Sequence, residues 1–204
     1  MFRSTIYDIT FAQLTARWYR EVLERVPEHA HLLDVGVGTA SALTRSAAII
    51  RRRQLRVTGI DIDADYIARG LQHVRRTELE DHVRLRLESV YDHQGGPYDA
   101  AYFSASFMLL EMPEKALRAV GALLKPGGCI IFTQTFSERR SRLIEIAKPL
   151  LGKLTTVEFG RVTYEEEFLH TLDRGGLTLE DFVVMSSNAM QSFRLAIARP
   201  RTAD

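Results

Sequence analysis

Apolar positions along the chain recur in two rhythms, and their alternation predicts the architecture. Strand character appears in Leu32, Leu33 and Val35, in Arg56 to Ile60, in Tyr98 to Phe103 and in Cys129 to Thr133. It appears also in His82 to Leu87, where Val83, Leu85 and Leu87 alternate with polar residues. Between these runs lie stretches with helical spacing: Leu43, Ala47 and Ile50; Ile67, Leu71 and Val74; Leu117, Val120 and Leu124. Strands alternating with helices at this spacing predict βαβ units and a parallel sheet. The one-sided pattern of His82 to Leu87 reads as a sheet edge.

Caps and breakers punctuate the pattern. Thr10 and Gln13 form a capping box, with Ile9 placed to staple onto Leu14. The helix they open carries Phe11, Leu14, Trp18 and Val22 on one face and ends at Pro27. Asp63 can cap the helix of Ile67, and Pro113 suits the first turn of the helix of Leu117. Lys125 to Gly128 reads as a turn. After residue 136 the character changes. Arg139 to Leu151 reads as a helix and Thr155 to Val162 as irregular. Thr163 and Glu166 form a second capping box, for a helix bearing Phe168 and Leu172 that Gly175 and Gly176 stop. Leu177 to Met185 and Gln191 to Ala198 read as strands, and the short polar link at Ser186 to Asn188 predicts an antiparallel hairpin.

Composition narrows the classes. The 204 residues are 46% hydrophobic, enough for one globular domain with a sizeable core. With 27 basic and 26 acidic residues the formal net charge is +1, so no nucleic-acid partner is expected. Cys129 is the single cysteine, which rules out an intramolecular disulfide and suits a reducing compartment. No apolar run approaches the roughly 20 residues of a membrane helix, and no signal peptide is evident. A cytoplasmic protein is expected.

The candidate chemistry centres on HLLDVGVGTA, residues 31–40. An apolar strand runs into Gly36 and Gly38, and a helix opens behind them. Glycines at a strand-to-helix turn let a ligand approach bare main chain. A dinucleotide fingerprint would need glycine at Ser41, and Asp34 beside the turn repels a pyrophosphate. A carboxylate there attracts an amine instead. His29 and His31 make a poor zinc pair in a chain with one cysteine and no H-E-x-x-H, and no metal is expected. There is no G-x-S-x-G nucleophile elbow.

Four segments in order carry a family resemblance. DVGVGTA resembles the first motif of class I S-adenosylmethionine-dependent methyltransferases, (D/E)-x-G-x-G-x-G. Asp61 in GIDID resembles the acidic residue of the next motif. PYDAAYFSASFMLLE (97–111) and LLKPGGCIIF (123–132) resemble the segments around strands four and five. The resemblance implies a three-layer α/β Rossmann-like fold. Its seven-stranded sheet would be ordered 3-2-1-4-5-7-6, mostly parallel, with the last strand antiparallel. One domain over 1–204 is expected: a helical cover (1–30), a cofactor-binding core (31–135), a helical substrate-side insertion (136–176) and a terminal strand pair (177–204).

The resemblance also implies S-adenosyl-L-methionine as cofactor and S-adenosyl-L-homocysteine as product. Asp34 would lie near the cofactor's amino-acid part, and main chain at Gly36, Val37 and Gly38 would approach the cofactor. Asp61 would accept from both ribose hydroxyls, and Ile62 would pack on the adenine. Ser89 and Val90 would border the adenine, although family members often place Asp at the position of Ser89. Phe103 and Ser104 would line the methionine part. Ala40 departs from the family's third glycine, which either leaves binding intact or narrows the pocket.

Methyl transfer from a sulfonium needs an in-line nucleophile more than acid–base machinery, so the catalytic residue stays unnamed among Tyr7, His93, Glu111 and Glu138. Tyr7, Phe107, Met108, Glu111, Phe136 and Phe159 are the substrate-side candidates. Their apolar members suggest a small or amphipathic acceptor, the alternatives being a protein side chain or a binding role without turnover. Arg139, Arg140 and Arg142 open a helix against its dipole and are read as solvated surface. Oligomeric state is left open.

Overall fold

A computed structural model describes residues 15–137, 163–188 and 190–201. A first helix, α1, occupies 15–25 and stops before Pro27. The chain then runs β1 (His31–Val35), α2 (Ser41–Thr44), α3 (Ala47–Arg52), β2 (Arg56–Asp61), α4 (Ala64–Arg76), β3 (Val83–Leu87) and β4 (Tyr98–Ser104). It continues with a 3-10 turn (Phe107–Leu109), α5 (Pro113–Ala122), β5 (Leu124–Ser137), α6 (Glu165–Arg174), β6 (Leu177–Ser187) and β7 (Gln191–Pro200).

The seven strands form one sheet in the order β3-β2-β1-β4-β5-β7-β6, as expected. β3, β2, β1, β4 and β5 are parallel, and β7 runs antiparallel to both β5 and β6. β1 is central because both faces of Leu32 to Val35 are buried. Its neighbours are β2 on one side and β4 on the other, so the connections leave it in opposite directions. At such a switch point the carboxyl ends of the strands leave room for a ligand in the crevice between the two connections.

Strand alternation sends side chains to two cores. One face carries Leu32, Val57, Val83 and Tyr102 against Tyr19, Val22 and Leu23 of α1 and the helices α2 to α4. The other carries Leu33, Val35, Ile60, Phe103 and Phe132 against α5 and α6. Burying each large apolar side chain contributes about 1.5–3 kcal/mol. Edge strand β3 shows Arg84 and Arg86 to solvent, and edge strand β6 has register shifts near Leu179 and Val184. Both features discourage further strand pairing.

Five local expectations are corrected. The helix expected after the glycine turn is split, because the Thr44 hydroxyl bonds back to the Ala40 carbonyl (3.0 Å) and a new turn begins at Ser46. Leu71 is 40% exposed, and Gly70 takes its place on the inner face of α4. A Cβ at Gly70 would lie 2.6 Å from Leu85 Cδ1, so the glycine permits close helix–sheet contact. Leu124 opens β5 rather than closing α5, and the expected turn at Lys125–Gly128 is an irregular first stretch of that strand. The cap of α6 is Tyr164, because Thr163 is held beside Phe136 in a parallel bridge. The hairpin is as expected: the Asn188 side chain accepts from the N–H groups of Met190 and Gln191, both at 2.9 Å.

Candidate functional site

The crevice is built from three strand ends and the turns behind them. After β1 the chain reverses at Gly36 (φ +73°) and Gly38 (φ +57°), a conformation favouring glycine. The N–H groups of Gly36 and Val37 donate to the Ile60 carbonyl at 2.9 and 3.2 Å. The Gly38 N–H donates to Asp61 Oδ2 at 2.8 Å. All three donors are therefore spent inside the protein. What the turn offers a ligand is bare main chain rather than free N–H groups. The two glycines divide that work. A Cβ on Gly36 would meet Ser106 Cβ at 2.5 Å, whereas one on Gly38 would meet nothing within 4 Å. Gly36 admits the loop after β4, and Gly38 faces open space.

Asp61 closes β2. Its Oδ1 accepts from the N–H of Asp63 at 3.0 Å, and Asp63 in turn caps α4 through the N–H groups of Asp65 and Tyr66. Each Asp61 oxygen holds one main-chain donor and keeps a lone pair for another. Ile62 follows with its apolar side chain 78% exposed.

Asp34 is wholly buried on β1. Its Oδ2 accepts from the Tyr19 hydroxyl at 2.8 Å, and its Oδ1 has no hydrogen-bond partner among the described residues. Burial pushes its carboxyl up to about 7; the Tyr19 hydrogen bond pulls the other way, and the nearby Asp61 charge adds to the rise. A buried carboxylate with a second carboxylate close by favours a cation. Burial likewise raises the phenols of Tyr19 and Tyr102. Tyr102, opposite Asp34 on β4, bonds to Thr133 Oγ1 at 2.6 Å and meets the Tyr19 ring edge-on at 5.1 Å.

Residues 33–130 match the family described as a methyltransferase domain. Ubiquinone biosynthesis O-methyltransferases are similar over most of their length. The protein from Acinetobacter baumannii is 25% identical, with 87% of this chain and 84% of that protein covered. The one from Nitrosococcus oceani is 27% identical, with 91% and 87% covered. This chain carries a methyltransferase domain. Solved structures agree at the level of fold. Geranyl diphosphate C-methyltransferase from Streptomyces coelicolor, in complex with S-adenosyl-L-homocysteine, superposes with TM-score 0.70 at 17% identity, covering 93% of this chain and 78% of that one. The cyclase SpnF superposes at 0.74 with 20% identity, covering 92% and 82%, so the fold alone does not fix the chemistry.

The methyltransferase's residues fit an adenosyl sulfonium bearing an amino acid. The orphaned Asp34 oxygen suits a cation, the lone pairs of Asp61 suit a diol, and exposed Ile62 suits an apolar ring face. Ala40 does not narrow the crevice. It is left-handed (φ +53°) and 2% exposed, so its methyl is buried in the core beside Leu43. Ser89 Oγ accepts from the Tyr91 N–H at 3.2 Å and shapes the turn after β3. Val90, 5% exposed, packs into the core below that turn.

Several expected wall residues of the methyltransferase are core residues. The Phe103 ring stacks on Phe132 at 5.3 Å, which leaves only its main chain at the strand end. Phe107 and Phe136 join Phe132, Phe168 and Phe182 in one aromatic cluster, because strand alternation and the turn after β4 direct their rings away from solvent. The apolar side chains left on that turn are half-buried Met108 and exposed Leu109 and Met112, with Glu111 exposed between them. Ser104 closes β4, half-buried. His93 is not available as a base. Its side chain is buried, with Nδ1 2.5 Å from Glu88 Oε2 and Nε2 2.7 Å from the Tyr98 hydroxyl. Tyr7, Glu138, Phe159 and the arginines at 139, 140 and 142 lie outside the described residues.

Sequence reasoning did not single out Tyr19, whose hydroxyl bonds to Asp34 Oδ2. A phenol beside Trp18 on a helix facing an acidic strand end was the available signal.

Proposed function

We propose that this methyltransferase methylates a hydroxyl of a small amphipathic molecule, using S-adenosyl-L-methionine held at the β1–β2–β4 crevice. One observation carries the reading: two carboxylates, Asp34 and Asp61, flank a glycine turn, and the buried one has an oxygen unpartnered among the described residues. The oxygen acceptor follows from the likeness to ubiquinone biosynthesis O-methyltransferases. The amphipathic character follows from Met108, Leu109 and Met112 on the rim after β4. The elements joined in the one sheet are taken as one domain, and the location as cytoplasmic.

When bound, the cofactor supplies an electrophilic methyl group. The chain's own residues do the rest. Asp34 attracts the ammonium of the amino-acid part. Asp61 accepts from the ribose hydroxyls and is itself fixed by Gly38 and Asp63. Ile62 covers one adenine face, with Ser89 and Val90 at its border. Main chain at Phe103 and Ser104 limits the methionine side. Met108, Leu109 and Met112 exclude water from the acceptor's apolar part, and orientation supplies most of the acceleration. Glu111 is the ionisable side chain on residues 104–112, and it is assigned the hydroxyl proton in this reading.

Calorimetry with S-adenosyl-L-homocysteine tests the cofactor site, and label transfer from methyl-labelled cofactor into cell extract tests the acceptor class. The label is expected in a small species extractable into organic solvent. Label confined to protein would replace the small molecule with a side chain as acceptor.

A further inference from the structure

We propose that Tyr19 is a positioning residue of the cofactor site, which holds Asp34 as a fixed, ionised carboxylate for the ammonium of the incoming cofactor. The inference rests on the cofactor reading above. Its basis is the contact between α1 and β1. The Tyr19 side chain is 2% exposed and its hydroxyl donates to Asp34 Oδ2 at 2.8 Å. Its ring is set by the edge-on contact with Tyr102, whose hydroxyl is in turn tied to Thr133. The phenol is therefore held in place before any ligand arrives. It takes one carboxylate oxygen and leaves Oδ1 without a partner among the described residues.

A buried carboxylate has a large desolvation cost for its charge, and a neutral donor that bonds more strongly to the ionised form than to the acid recovers part of it. Among the described residues three titratable groups face Asp34: Tyr19 from α1, Tyr102 from β4 and Asp61 from β2. Asp61 opposes the charge, and both phenols are pushed upward by burial, so they stay neutral near pH 7. Tyr19 is the group among these that bonds to the carboxylate. In this low-dielectric setting the Asp34 charge acts on an ammonium directly or through one water.

The test is calorimetry on the full chain, wild type and Tyr19→Phe, from about pH 6 to pH 8.5. Two probes are used: S-adenosyl-L-homocysteine, and methylthioadenosine, which shares the adenosyl thioether but lacks the amino-acid ammonium. Wild-type affinity for S-adenosyl-L-homocysteine should rise with pH and that for methylthioadenosine should stay level. In Tyr19→Phe the rise should move up by about one pH unit, the scale of one hydrogen bond to a charged group. That gives about a fivefold loss at pH 7 that shrinks below about twofold near pH 8.5, with methylthioadenosine unaffected. Equal losses for both probes at every pH would make Tyr19 a packing residue and overturn the inference, as would an unchanged profile. Wild type binding neither probe would overturn the cofactor reading and the inference together.

Discussion

The Gly38 N–H and Asp61 Oδ2 are joined by a 2.8 Å hydrogen bond that ties the turn after β1 to the end of β2. One carboxylate thus serves the fold and the ligand. Asp61→Ala removes both, and affinity for S-adenosyl-L-homocysteine should fall by about 1–3 kcal/mol. Asp61→Asn keeps an acceptor and should lose less. Calorimetry on the two variants checks the order.

The left-handed residues of the turn should respond differently to one methyl group. Gly36→Ala forces Ser106 aside as well as straining the main chain, and should cost about 2–4 kcal/mol of stability. Gly38→Ala has room in the protein and should cost only about 1 kcal/mol, but its methyl occupies the open side and should weaken ligand binding more than folding. Ala40→Gly relieves left-handed strain of about 1 kcal/mol and gives up a buried methyl worth about 0.8 kcal/mol, so stability and affinity should barely change. Thermal unfolding with and without S-adenosyl-L-homocysteine separates the three.

Asp34 makes the stability of the ligand-free protein depend on pH. Its folded value, about 7, lies above the unfolded value of 3.8. The folded state then binds more protons than the unfolded one between those values, so stability falls as pH rises through them. The loss is bounded by about 4 kcal/mol, and ends above the folded value. Asp34→Asn should be flatter across this window, and saturating S-adenosyl-L-homocysteine should offset the wild-type loss near neutrality. Denaturant unfolding at a series of pH values checks both.

The chain Glu88–His93–Tyr98 anchors the connection between β3 and β4, which carries Ser89 and Val90. Tyr98→Phe should cost about 1 kcal/mol by freeing one hydrogen bond, and His93→Ala about 2–4 kcal/mol by leaving a cavity and two partners unpaired. His93 bonding holds the Glu88 carboxyl below its ordinary range, so its stabilising contribution is lost as pH falls through that lowered value. If His93 were instead the catalytic base, Tyr98→Phe would alter the pH profile of turnover; turnover per folded molecule should keep its profile.

The parallel sheet and the antiparallel hairpin were legible in the sequence from local periodicity and turn residues, whereas the strand order came from the family resemblance that the four motifs carry. Asp34 and Asp61 were legible because each stands at or next to the end of a strand, beside a turn. The roles of Gly36 and Gly38 were not separable, since the difference lies in Ser106, seventy residues away in sequence. Periodicity marked Phe107 and Phe136 as apolar but could not say that they face each other's cluster across the sheet rather than the crevice. Whether the Ala40 methyl is tolerated or narrows the pocket was left open by the motif, because its burial depends on tertiary packing. Tyr19 gained its meaning from one long-range hydrogen bond. Patterns of side-chain type fix which segments become strands and helices; which atoms meet is decided by packing between segments distant in sequence, where the hydrogen bonds and pKa shifts of the site arise.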